Sequence, residues 1–137
     1  MSKPIVTGYD GTDGSKAALG AAIELADRLS CELVIGYGYE YSRLGGEATD
    51  LAKALRELGE NLTAEAAERA RNAGLEPRLV VREGDPAHVL ADLGKELDAT
   101  AIVVGTRGER PVVGVILGSL SHKILHVSEV PVLVVPV

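Results

Sequence analysis

Three glycine positions in this chain are spaced as an anion site would need them. Gly105-Thr106-Arg107-Gly108 is followed by nine residues, Glu109 to Leu117, and then by Gly118-Ser119. Without a Cβ, the backbone at 105 and 108 can bring its N–H groups close to a phosphate. Gly118-Ser119, ahead of a helical run, offers free amides, a hydroxyl and the positive end of the helix dipole. Arg107 and Arg110 add local positive charge to a chain with 14 Lys+Arg against 20 Asp+Glu. Singly, each glycine reads as an ordinary turn residue, and only the joint spacing favours a phosphate cradle. The standard phosphate fingerprints are missing: there is no GxxxxGK[ST], and Gly36-Tyr37-Gly38 lacks the third glycine of GxGxxG. With no Walker-type lysine and no identifiable base to position a water, no catalytic residue is assigned.

A cradle of this kind needs strands that end beside it and a helix that starts there. Five short β-branched runs, Ile5–Tyr9, Glu32–Tyr37, Arg78–Arg82, Thr100–Val104 and Val130–Val135, alternate with helical patterns. That order defines an α/β fold, and continuous apolar runs such as "AIVVG" fit a parallel sheet covered on both faces. Asp13 or Ser15 can cap the first helix, which should end near Ser30. The second carries Leu51, Leu55, Leu58, Leu62, Ala66 and Ala70 as a stripe of core or interface character, and stops at Asn72-Ala73-Gly74. Asp85-Pro86 opens the third as N-cap and first helical residue, and the fourth runs from Gly118-Ser119 to about Val127. Two segments read as irregular: Gly36 to about Ala48, with Tyr37, Tyr39 and Tyr41, and Gly105–Gly118. Both leave strands at the carboxyl end, where open α/β sheets bind ligands.

The 137 residues allow one domain, 1–137, whose core must be Val, Leu, Ile and Ala because Phe and Trp are absent. A net charge of −6 argues against general nucleic-acid binding. No run approaches 18 apolar residues, and Met1-Ser2-Lys3-Pro4 leads into a short apolar run without a signal-peptide core, so a soluble, cytoplasmic protein is expected, with no membrane partner. Cys31 stands alone and reads as a small buried hydrophobe; His88 reads as a surface or packing residue. His122 and His126 stand four apart, a spacing that two metal-bound imidazoles can use. No Cys or carboxylate pair joins them in a ligand pattern, so no metal site is assigned. The tyrosine cluster fits an aromatic wall for a base and fits loop packing equally well.

The spacing G-2x-G-9x-G-[S/T] resembles the signature of the universal stress protein family, in its ATP-binding branch. The likeness spans the chain: Asp10 ahead of a Gly/Ser turn, "EGDP" at 83–86, "AIVVGTRG", "LGSLSHKILH" and the terminal "VPVLVV". It implies an open five-stranded parallel sheet in order 3-2-1-4-5 with helices on both faces. By position, Asp10 and Gly11 would lie at the adenosine end of a nucleotide and the backbone of Tyr37 at the adenine edge. Gly105, Arg107 and Gly108 would approach ribose and phosphates, with Gly118, Ser119, Leu120 and Ser121 on the phosphate chain. ATP is the first expectation, with ADP, AMP or cAMP as variants and Mg²⁺ or Mn²⁺ bridging phosphates. The spacer "ERPVVGVIL" departs from family members with further basic residues. The resemblance also implies a homodimer through the last strand, Val130–Val137, which answers the hazard of an apolar sheet edge. The function implied is sensing or sequestering of nucleotide with slow or no hydrolysis. A nucleotide-free dimeric interaction protein and, last, a slow ATPase relying on Asp10 or Asp13 stand as alternatives.

Overall fold

The computed structural model describes residues 3–41, 48–106 and 118–137. Along the chain run β1 (Ile5–Gly8), α1 (Asp13–Leu29), β2 (Leu33–Tyr39), α2 (Ala48–Asn72), β3 (Arg78–Glu83), α3 (Pro86–Glu96), β4 (Ala101–Gly105), α4 (Ser119–Val127) and β5 (Val132–Val135). The strands form one parallel sheet in the order β3-β2-β1-β4-β5. This is the expected topology, with its reversal between β1 and β4.

Alternation along the strands sorts the core into two layers. Ile5, Leu33, Ile35 and Val103 face α1 and α2, packed with Ala18, Ala22 and Ala66. Val6, Val34, Ile102 and Val104 face the other way, against Leu90 and Leu93 of α3 and Ile124 of α4. The central strands are buried on both sides, while β3 is half-exposed at the sheet margin. Thr7, fully buried in β1, donates its hydroxyl proton to the carbonyl of Val103 at 2.9 Å. That bond ties β1 to β4 at the reversal and removes the cost of a buried polar group.

Several local expectations need correction. The cap of α1 is Thr12, not Asp13 or Ser15: Thr12 is extended (φ −72°, ψ 161°) and its hydroxyl accepts from the Ser15 amide at 3.3 Å. Three cap-competent residues stand together here, and only the backbone conformation selects one. β2 runs on through Tyr39, so Tyr37 and Tyr39 belong to a strand paired with Val81 and Glu83 of β3 and not to a loop. Their alternation with Gly36 and Gly38 is that of a strand. The stripe of α2 reaches the core only in its second half: Leu62 packs against the core and Ala66 and Ala70 are buried, whereas Leu51 and Leu58 are exposed, and Gly59, Thr63 and Ala67 complete the buried face. Small residues bring this helix close to the sheet. The helix ends as expected, with Gly74 in the left-handed region at φ +89°.

Candidate functional site

The carboxyl ends of β1, β2 and β4 open into a crevice of about 280 Å³, near the lower end of the roughly 300–1,000 Å³ usual for small-molecule sites. β1 and β4 diverge here because their following helices leave to opposite faces. The gap lies over the switch point, where an open α/β sheet holds ligands.

One wall is the start of α4. Its N-cap, Gly118, is extended (φ −65°, ψ 164°) and supplies no side-chain cap. The first-turn amides of Ser119, Leu120 and Ser121 therefore have no intrahelical acceptor, and the positive end of the helix dipole faces the crevice. Ser121 is buried, and its hydroxyl donates toward the carbonyls of Gly118 at 3.0 Å and Thr106 at 3.4 Å. Its proton is thereby committed, and an anion at this wall would meet the backbone N–H groups and the exposed hydroxyl of Ser119. The Gly118 amide itself donates to the carbonyl of Thr106, joining α4 to the end of β4.

Opposite stand the turn after β1 and the end of β2. Asp10 is exposed, and its Oδ1 accepts from the amide and hydroxyl of Thr12, at 3.0 and 2.6 Å. This turn fixes the carboxylate at the crevice mouth. Burial first, and the Asp10 charge second, raise the pKa of the Tyr37 phenol, so it stays a neutral donor. Tyr9 forms part of the floor, its phenol donating to Glu65 of α2 at 3.1 Å. Burial, and then the bond to and charge of Glu65, raise its pKa against the opposing pull of Arg69.

Gly105 has a packing reason to be glycine beyond any ligand. A Cβ there would stand 2.5 Å from the carbonyl oxygen of Gly14 in the first turn of α1. The end of β4 thus touches the start of α1 backbone to backbone. Gly11, at φ +83°, serves the tight turn beside Asp10 and does not line the crevice. Asp10, Tyr37, Gly105, Gly118, Ser119, Leu120 and Ser121 do line it. Arg107 and Gly108, with Arg110 and Pro111 of the spacer, lie outside the described residues. Sequence reasoning missed Thr12, Ser15, Pro86, Leu90 and Val104. The first two belong to the visible Gly/Ser turn. Leu90 enters from α3, where a Cβ on Gly8 would approach within 2.8 Å of it, a contact that no local pattern announces.

Beside the crevice, a smaller cavity of about 190 Å³ lies between the starts of α3 and α4. Asp85 caps α3 there and pairs across the gap with Lys123 of α4 at 2.9 Å. Among the described residues lining the main crevice there is no Lys or Arg. Attraction for an anion there comes from amides and the helix dipole.

An uncapped helix start facing a glycine-lined crevice at the sheet's switch point is an arrangement that can accept an anion. The model of the universal stress protein family matches residues 1–136, and the chain belongs to that family. It is 30% identical to the universal stress protein YxiE of Bacillus subtilis, covering 98% of this chain and 99% of that protein. It is 32% identical to a universal stress protein of Mycobacterium tuberculosis, over 97% and 95% of the two chains. Among solved structures it is similar to a universal stress protein in complex with cAMP, with a TM-score of 0.77, 28% identity, and 97% and 96% of the two chains covered.

Proposed function

We propose that this chain binds an adenine nucleotide, ATP first, and senses or sequesters it with slow or no hydrolysis. The observation that carries this reading is the free first turn of α4 in the wall of the switch-point crevice. The likeness to a relative crystallised with cAMP supports it. In this reading Asp10 sits at the adenosine end, on the turn that Gly11 makes possible, and the Tyr37 backbone meets the adenine edge. Gly105 lies by the ribose, and the amides of Ser119, Leu120 and Ser121 hold phosphate; Arg107 and Gly108 complete the motif in the sequence. Mg²⁺ or Mn²⁺, where present, would neutralise phosphate charge through phosphate oxygens and water. Hydrolysis is slow because the Asp10 carboxylate is engaged by Thr12 and the described lining residues include no lysine for the phosphates.

A thermal-shift titration tests the reading. At 100 times its dissociation constant a one-site ligand adds about 2.7 kcal/mol, enough to raise the melting temperature by several degrees. No shift with millimolar ATP, ADP, AMP or cAMP in the presence of Mg²⁺ would refute it. Gly118→Val should remove the shift and keep the fold, because φ −65° is open to valine while a branched side chain would crowd the amides.

One observation supports cAMP as a second reading. The described lining includes no basic side chain, and a cyclic phosphate brings a single charge where a triphosphate brings several. Competition between the two nucleotides decides. We further propose that the protein works in the cytoplasm as a homodimer paired along β5, where Leu133 and Val137 are exposed. No described helix is long and apolar enough to cross a membrane.

A further inference from the structure

The outer face of α4 carries two residues that the crevice does not use. His122 and His126 are one helical turn apart, and their rings meet edge to face, with centroids 4.8 Å apart and planes at 76°. Both side chains are exposed. Among the described residues, no hydrogen bond or ion pair engages either ring. The spacing alone places the two rings on neighbouring turns, and the structure shows them in contact with both edges open to solvent.

That separation, ordinary for an edge-to-face ring contact, also lies within reach of a shared ion. An imidazole nitrogen sits about 2.0–2.1 Å from Zn²⁺, and the ring centre lies about 1.2 Å behind it, so two imidazoles on one ion have centroids roughly 4.5–5.2 Å apart. The lower figure belongs to a right-angle pair and the upper to a tetrahedral one. The helix holds the ring centres within that interval, and the edge-to-face pair would have to turn about its side-chain torsions to aim one nitrogen of each ring at a common ion. The nearest cation in sequence, Lys123, has its ammonium on Asp85 at 2.9 Å, and the whole chain is negative at −6.

We infer that His122 and His126 form a surface chelate for a borderline divalent ion that prefers imidazole, Zn²⁺, Ni²⁺ or Cu²⁺, with water completing its coordination. Two protein ligands make the site exchangeable, unlike the closed four-ligand sites that hold structural zinc. The ion would tie together the middle and last turns of the helix whose first turn faces the crevice.

Isothermal titration of untagged protein with Zn²⁺, and separately with Ni²⁺, tests the inference. Saturable binding is expected, and His122→Ala or His126→Ala should each weaken it roughly a hundredfold, because losing either ligand removes the chelate. His88→Ala should leave it unchanged. Both rings are exposed, so the metal-free melting temperatures of the α4 variants should match the parent. Zn²⁺ should move the imidazole resonances of His122 and His126 together. Unchanged affinity in either single α4 variant, movement of only one ring, loss of binding in His88→Ala, or no saturable binding of either ion overturns the chelate.

Discussion

Asp85 joins two helix starts through one carboxylate. Its Oδ2 accepts from the His88 amide at 3.2 Å and meets His88 Nδ1 at 2.9 Å, while Oδ1 takes the Lys123 ammonium. Burial works to raise its pKa, but the bonds from Lys123 and His88 outweigh burial and hold it down to about 2, from an ordinary 3.8. The sign follows: a depressed folded value means stabilisation that is complete above the unfolded value and lost as pH falls toward about 2. Asp85→Ala should therefore cost about 1–2 kcal/mol at neutral pH, mostly as a lost cap. In urea melts the gap to the parent should narrow steadily from pH 4 downward; a gap of constant size would refute the carboxylate's role. Asp85-Pro86 was legible in sequence because a cap and its helix are neighbours. The role of Lys123 was not, since its partner is remote in the chain, and the same holds for the contact between Gly105 and Gly14.

At the scale of elements, α2 shows why periodicity found the helix and placed only the second half of its inner face, Leu62, Ala66 and Ala70. Leucines at three- and four-residue steps signal a helix whichever way they point, and here Gly59, Thr63 and the alanines take the inner side. Close approach to β2 and β3 favours small residues over large ones. Gly59 is the tightest point: a Cβ would stand 2.5 Å from Cδ1 of Tyr37 and 3.0 Å from Val81. Helix propensity alone would make Gly59→Ala stabilising by about 1 kcal/mol, but overpacking against a ring should outweigh it, with a net loss of roughly 1–2 kcal/mol. Combined with Tyr37→Ala, the same substitution should become neutral or stabilising. Chemical denaturation of the four proteins in this cycle measures the coupling, and simple additivity would mean that the ring is not what Gly59 accommodates. Displacing Tyr37 should also weaken nucleotide binding, since it lines the crevice.

The whole molecule is organised by the reversal between β1 and β4 and by its two sheet margins. Alternating elements announced an α/β sheet, and family resemblance supplied the strand order that spacing alone left open. The margins differ. β3 exposes Leu79 at 38% among charged positions, Arg78 and Glu83, whereas β5 presents Leu133 at 42% exposure between half-buried valines with no charged neighbour in the strand. An apolar parallel strand at an open edge invites a second copy. Leu133→Lys should shift the proposed dimer to monomer in sedimentation equilibrium without unfolding it; an unchanged mass would place any interface elsewhere. The placement of the tyrosines has a further consequence. With no tryptophan or phenylalanine, all near-ultraviolet aromatic signal comes from four tyrosines, and two of them, Tyr9 and Tyr37, border the crevice. The protein thus carries an unlabelled optical reporter of its own occupancy, in which tyrosine emission and near-ultraviolet dichroism read the filling of one site.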